Sequence, residues 1–337
     1  MPTSLFLTGA SGVIGTELAP LFDPSRLVLG RHRARPGGEA RQVSIDITQS
    51  QLGLSDTVFR DLAEEIDTIV HAAAVTDMGV GADGLNETNI DGVRHMIELA
   101  KAANANFHYV STAYCSDDYG PLRPVQSEYV QSKRVAEALV RKSGLDWTII
   151  KPSIVCGHSS TGKTANFQGF HLFIGSIIKG RLPIIPLDHE ARCDFVPSDV
   201  IAEAIRRIVD HPRYGRTYWL TCGSDAITIT DMLGYGQAFA DEIGLDLSKV
   251  PIMAPEDGAL DRLKAGLAGL PQKLRDRFET MLELSKVMAT ERPFPSDLPE
   301  LFGNHPLPAD RQKTVLGANI RYWGRENGYE FKTGAEV

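Results

Sequence analysis

The chain has 337 residues, 42% of them hydrophobic and 23% charged, so it can bury a full core and is neither disordered nor fibrous in composition. Its formal net charge of −8 repels phosphate backbones at long range, which sets nucleic acid aside as a main partner. The four cysteines, Cys115, Cys156, Cys193 and Cys222, form no C-x-x-C pair, so neither a metal site nor a redox motif is indicated. Reduced thiols in a cytoplasmic protein are expected. The start of the chain runs straight into a strand without a basic leader, so no signal peptide is expected. No stretch reaches the roughly 18 apolar residues of a membrane span.

Short apolar runs at residues 5–8, 26–29, 42–45, 68–71, 107–111 and 147–151 read as strands. Most are nearly continuous in hydrophobicity, as in parallel strands covered on both faces. Helical patterns lie between most of them, one over residues 84–103 with Val93, Ile97 and Ala100 on its apolar side. Pro20 should shorten or kink the first helix. This alternation predicts an α/β fold, a doubly wound parallel sheet of Rossmann-like type. Residues 157–169, rich in Gly, Ser and Thr, read as a loop, and 217–220 as one more strand. A helical region is expected over 257–290, broken near 269–271, and a proline-rich tail over 292–308 extended on the surface. The organisation so read is a nucleotide-binding core over 1–155, with part of 190–222 returning to it. Residues 156–337 form a smaller, mainly helical substrate-binding region.

Four motifs bear on chemistry. The run Thr8 to Gly15 has the spacing G-x-x-G-x-x-G directly after a strand and before a helix. Glycines there let the backbone turn tightly against a pyrophosphate, which then sits on the helix N-terminus. Gly9, Ser11, Gly12, Val13, Ile14 and Gly15 are therefore candidate cofactor residues. After the second strand, where an NAD site offers a carboxylate to the ribose, this chain has Arg31 and Arg33. Guanidinium groups suit a 2′-phosphate and an adenine face, hence NADP(H); a solvated basic turn is the alternative. Asp46, with Ile47 beside it, is placed for the adenine amine or is a turn residue. Tyr129 and Lys133 lie one helical turn apart, so a nearby ammonium is expected to draw the phenol down toward neutral pH. A plain surface pair has the same spacing. Finally, Val110 to Tyr114 ends a strand at the carboxyl edge of the sheet, where a hydroxyl can hold a carbonyl oxygen.

Together these motifs resemble the extended short-chain dehydrogenase/reductase superfamily, and within it the thioester reductase and fatty acyl-CoA reductase branch, the male sterility type. The matching stretches also include LGLS at 52–55, HAAA at 71–74, NIDG at 89–92, KPSIV at 151–155, GHSSTG at 157–162 and FVPSDV at 195–200. They cover about residues 4–207, and the chain beyond 210 matches no pattern of the family. The resemblance implies that Tyr129 is the acid/base, Lys133 its ribose-binding partner and Thr112 the catalytic hydroxyl, with Ser111 as runner-up. It implies that Ala72, Ala73 and Ala74 pack along the nicotinamide ribose, and that Pro152, Ser153 and Ile154 close over the nicotinamide. Asn89 is expected to brace the sheet, and His71 to be structural.

The reaction implied is NADPH-dependent hydride transfer to a carbonyl, an acyl thioester on CoA or an acyl carrier protein, giving aldehyde or alcohol. The alternatives are a ketone or aldehyde reductase, a sugar-nucleotide epimerase or dehydratase, and a non-catalytic NADP-binding sensor. An epimerase more often has an acid where Arg31 stands, and sensors tend to lose the tyrosine. The run from Lys151 to Lys163 is expected to leave the sheet as a flexible polar loop at the pocket mouth, suited to a phosphopantetheine arm. The amphipathic pattern of 257–290, with Leu260, Leu263, Leu267, Leu270, Phe278, Met281, Leu282 and Leu284, fits a lid over the site or a plain cover of the core. The sequence sets no oligomeric state.

Overall fold

The first strand, β1 (Leu5–Thr8), is apolar at every position but its last, and all four residues are buried. Leu5 and Leu7 face one hydrophobic cluster while Phe6 faces another, as the two-residue period of a strand requires. Its neighbours follow the same rule: β2 (Leu27–Arg31), β3 (Arg41–Ser44), β4 (Thr68–His71), β5 (Asn106–Val110) and β6 (Trp147–Pro152). With β10 (Arg216–Leu220) they form one seven-stranded sheet in the order β10-β6-β5-β4-β1-β2-β3. Every pairing in it is parallel. This is the doubly wound arrangement expected, with strand ends within two residues of those read from the sequence. The structure is a computed structural model and describes residues 4–33, 36–76, 82–121, 127–179, 188, 190–244 and 289–330, with isolated residues between 265 and 275.

On one face the sheet is covered by α2 (Asp56–Glu65), α4 (Gly92–Ala103) and α5 (Glu128–Arg141). The other face packs against α6 (Gly169–Ile178), α7 (Ser198–Asp210), α8 (Ile229–Asp241) and α10 (Ala309–Glu326). One hydrophobic cluster runs without a break from β1 and β2 into these later helices. Two small ladders lie outside the sheet: β7 (Ile154–Cys156) runs parallel to β9 (Phe195–Pro197), and β8 (Arg192–Cys193) antiparallel to β11 (Ile227–Thr228). The first helix, α1 (Gly15–Leu18), is a single turn that passes into a 3-10 turn containing Pro20, as expected.

Two expectations change. The helix read over 84–103 is three pieces: α3 (Ala82–Asn86), a π turn (Glu87–Asp91) and α4. The wide turn contains Asn89, whose buried side chain bonds outside the helix. The proline-rich tail is not merely laid on the surface. Phe294, Leu298 and Leu307 are buried, and α9 (Leu298–Phe302) forms within it, because these apolar side chains anchor it to the core. Nearly all of 257–290 lies outside the described residues, and so does the proposed lid.

Helices α6, α8 and α10 meet through glycines. A Cβ on Gly175 would lie 2.4 Å from the Trp323 ring, and one on Gly317 would lie 2.1 Å from Phe239. Trp323 is buried, with the Lys179 ammonium 4.8 Å above its ring. Trp323→Ala should lower stability by about 3–5 kcal/mol, read as a drop in the urea midpoint at unchanged m-value.

Candidate active site

The strand order reverses between β1 and β4, and ligands of open α/β sheets bind at such a switch point. Here the two carboxyl ends nearly touch. Gly9 has φ +76°, and a Cβ on it would lie 2.7 Å from the Ala73 nitrogen. The Gly12 amide donates to the Gly9 carbonyl at 2.9 Å, and a Cβ on Gly15 would lie 2.1 Å from that same oxygen. Both glycines are thus required by geometry. Thr8 links the two strands: its hydroxyl pairs with His71 Nδ1 at 2.7 Å and accepts from the Ala73 amide at 3.3 Å. Burial, and then the charge on Lys133, bring His71 down to about 3, so its imidazole is neutral and structural.

A cleft of about 350 Å³ opens at this point. Of the sequence-predicted residues, Gly9, Ser11, Gly12, Arg33, Asp46, Ile47, Ala72, Ala73 and Ala74 line it. Val13, Ile14 and Gly15 lie behind its wall, where the glycine loop turns into α1. Arg31 does not line the cleft; His32 does. The reason is strand alternation: Arg31 ends β2 on the face opposite to Gly30, whose own position contacts Phe6 and Ile45. Arg33, two residues past the strand, is exposed on the cleft rim.

Asp46 has both roles weighed for it within reach. Its Oδ1 accepts from the Thr48 amide at 3.0 Å and hydroxyl at 2.7 Å, a local turn, while Oδ2 faces His32 Nε2 at 4.0 Å. Partial burial acts to raise this carboxyl, but the Thr48 hydrogen bonds, His32 and Arg33 outweigh it, so it ionises below the usual range. The LGLS segment backs this corner. Gln51, Leu52 and Gly53 all have positive φ (51°, 59° and 70°), and the Asp46 amide donates to the Leu52 carbonyl at 2.9 Å. Burial of Leu52 offsets the strain of that left-handed turn, and Ser55 then caps α2.

Tyr129 sits in the first turn of α5, which Ser127 caps by accepting from the Val130 amide at 3.1 Å. It packs with Cys115, Ile154 and Trp219 against a small cluster containing Ala113, Tyr114, Val130 and Phe294. The turn from Ala113 to Cys115 is itself capped by Thr112, whose hydroxyl accepts from the Tyr114 amide at 3.4 Å. Ser111 is engaged elsewhere: its hydroxyl donates to Glu137 Oε1 at 2.6 Å. Both hydroxyls are thus engaged, Ser111 as a donor to Glu137 and Thr112 as the cap of the turn. Lys133 is 2% exposed and donates to the Val110 carbonyl at 2.8 Å, with its ammonium 4.3 Å from the centre of the Tyr109 ring.

One electrostatic expectation is reversed. Tyr129 was expected to be drawn down by Lys133. Burial, and then the Cys115 thiol, instead push the phenol up. Burial also brings the Lys133 ammonium down to about 8. Helical spacing puts the two residues on one face, but the lysine chain bends to β5 and the desolvation of both groups dominates.

Asn89 does not brace the sheet. Its Oδ1 accepts from the Val75 amide at 2.9 Å, and its Nδ2 donates to the Val75 carbonyl and to Ser132 Oγ, both at 3.0 Å. Ser132 donates on to the Tyr129 carbonyl at 2.7 Å. A hydrogen-bonded chain thus runs from the cleft wall at Val75 to the turn that holds Tyr129. Nothing in the sequence signalled Ser132.

Pro152, Ser153 and Ile154 lie where β6 gives way to β7. Pro152 is paired with Leu220, the Ser153 amide donates to the Leu220 carbonyl at 3.2 Å, and Ile154 packs beside Tyr129. The loop that follows is tied down, not free. The Gly157 amide donates to Asn319 Oδ1 at 2.7 Å, and the Ser159 amide and hydroxyl donate to Asp199 at 2.8 and 2.6 Å. Gly162 has φ +69°, with the Ala318 carbonyl 2.2 Å from where a Cβ would stand. Within 157–163 the exposed residues are Ser160, Thr161 and Lys163. Among the described residues no group of His, Cys, Asp and Glu could hold a metal ion, and no helix is long and apolar enough to cross a membrane.

Known proteins are similar to this chain in sequence and in fold. Residues 39–205 match the family described as male sterility protein. The nonribosomal peptide synthetase asaC of Aspergillus flavus is 29% identical over 266 residues, 64% of this chain and 26% of that protein. The L-2-aminoadipate reductase large subunit of Eremothecium gossypii is 25% identical over 308 residues, 74% of this chain and 22% of that one. The chain thus spans about a quarter of the length of these curated relatives. In fold it is similar to the terminal R domain from the myxalamid PKS-NRPS biosynthetic pathway, with a TM-score of 0.76 at 24% identity over 96% of this chain and 91% of that one. Residues 39–205 are thus similar to the male sterility protein family, and the fold is similar to that of a terminal reductase-type R domain.

Proposed function

We propose that the chain reduces an acyl thioester, presented on CoA or an acyl carrier protein, with NADPH as the reductant. The observation that carries the reading is the meeting of Tyr129 with the Thr112-capped turn, joined to the cleft wall through Ser132, Asn89 and Val75. The residues present suit a dinucleotide: positions 9 and 15 admit no Cβ, and the amides of the glycine loop lead into α1. Gly9, Ser11, Gly12 and Ala72 to Ala74 would hold it, with Arg33 and His32 at its 2′-phosphate and Lys133 at its nicotinamide ribose. When bound, the cofactor supplies the hydride. Thr112 holds the substrate carbonyl oxygen, and Tyr129 gives that oxygen its proton. A phenol raised by burial is fully protonated at neutral pH, as an acid in the reductive direction must be. The first product is a hemithioacetal, which collapses to aldehyde and thiol; a second reduction gives the alcohol. Four free thiols suit the reducing cytoplasm.

Three outcomes are expected. NADPH should bind more tightly than NADH, and Arg33→Ala should weaken NADPH about 10- to 100-fold, the loss of a charge-assisted hydrogen bond, with NADH unchanged by titration calorimetry. Because Lys133 titrates at about 8, kcat/KM should fall as pH rises through that value. The ammonium is lost there while Tyr129 keeps its proton. Lys133→Arg, charged throughout, should remove that limb from the pH profile. Released thiol, aldehyde and NADPH loss should appear together on a panel of acyl-CoAs, acyl carrier thioesters, aldehydes and ketones. Oxidation of NADPH by ketones and by no thioester would end the proposal.

A further inference from the structure

Glu137 is one helical turn beyond Lys133 and two beyond Tyr129, on the same face of α5. It is buried, and three groups converge on its carboxylate. Oε1 accepts from the Ser111 hydroxyl at 2.6 Å and stands 3.1 Å from Lys151 Nζ, while Arg141 reaches Oε2 at 3.3 Å. Ser111 immediately precedes Thr112, and Lys151 immediately precedes the segment from Pro152 to Ile154. The residues that Glu137 holds thus lie at the ends of β5 and β6, each directly before one part of the site.

We propose that Glu137 is a positioning residue that fixes the catalytic hydroxyl of Thr112 against the segment from Pro152 to Ile154. The inference rests on the function proposed above. Lys133 pins α5 to Val110 and Glu137 pins it to Ser111, the next residue along. Two successive contacts set the register of the helix on the strand end. Lys151 adds a link from the other side. Its ammonium lies 5.0 Å from the Trp219 ring, which stacks on Phe294 at 6.1 Å, and Phe294 meets Tyr114 edge-on at 5.3 Å. The Thr112 turn is therefore held between a carboxylate and an aromatic stack. A buried ion pair adds little net stability, since desolvation offsets most of its attraction. What it supplies here is direction: short, oriented bonds that an apolar pair of equal volume would lack.

The test is single-turnover hydride transfer, followed by stopped-flow loss of NADPH absorbance with the fastest substrate of the panel. NADPH dissociation constants and melting curves are taken on the same samples. Ser111→Ala leaves the ion pair in place and removes one link; Glu137→Gln removes the charge. Each should slow hydride transfer by roughly tenfold to a hundredfold, the effect of about an ångström of misplacement, with NADPH affinity little changed. Glu137→Gln weakens the Lys151 link and Ser111→Ala the Ser111 link, but both links seat the same turn, so the double variant should lose less than the product of the two singles. Glu137→Asp replaces Glu137→Gln if the latter does not fold. Wild-type transfer in Ser111→Ala, or losses that multiply in the double variant, would overturn the inference. Tyr129→Phe serves as the control and should lose roughly a hundredfold or more. If it keeps its rate, the functional reading fails; if it collapses while the Ser111 and Glu137 variants do not, only the positioning role fails.

Discussion

At the switch point the backbones of β1 and β4 approach until no side chain fits between them. A Cβ on Gly9 would stand 2.7 Å from the Ala72 carbonyl carbon, and the positive φ of this residue excludes most alternatives independently. Much else follows from this approach. It brings Ala72 to Ala74 onto the wall of the same cleft as the glycine loop, and it sets Thr8 between Ala73 and His71. It also directs the chain after β4 outward, where Asn89 grips Val75.

The second constraint is the seating of α5. Helical spacing alone would leave Tyr129, Lys133 and Glu137 as a stripe on one face. The sheet turns the stripe into an instrument by offering a carbonyl at Val110, a hydroxyl at Ser111 and an ammonium at Lys151. Ser132, one residue before the lysine, ties the helix to Asn89 on its other flank. A π turn in the preceding helix gives Asn89 its place, which is how a local departure from α-helical geometry becomes part of the site.

The second half of the chain contributes by closure. Residues 289–297 run across the site as a strap. Thr290 pairs with Arg192, Arg292 with Gly120, and the Trp219 amide donates to Asp297 Oδ2 at 2.7 Å. Gly120 has φ +83° and lies so near Phe294 that a Cβ would meet its ring at 2.6 Å. The strap is thereby bound to the loop that follows the Thr112 turn.

The sheet and its order of elements were legible in the sequence because nearly continuous apolar runs separated by helical patterns admit few other folds. The glycine loop was legible because chain reversal at close approach demands glycine wherever it occurs. Tyr129 and Lys133 were visible as a spacing on one helix. Other features depended on distances between segments far apart in the chain. Whether Arg31 or Arg33 reaches the cleft depends on where β2 ends and on which face its last residue lies. Whether Lys133 lowers the Tyr129 phenol depends on where the ammonium finds an acceptor, and that acceptor is on another strand. Glu137 looked like an ordinary helical acid until β5 and β6 brought Ser111 and Lys151 to it. Sequence by itself determined periodicity and backbone freedom, which are local. Tertiary structure decided burial, partners and charge states, because desolvation and pairing depend on what the rest of the chain places around each group.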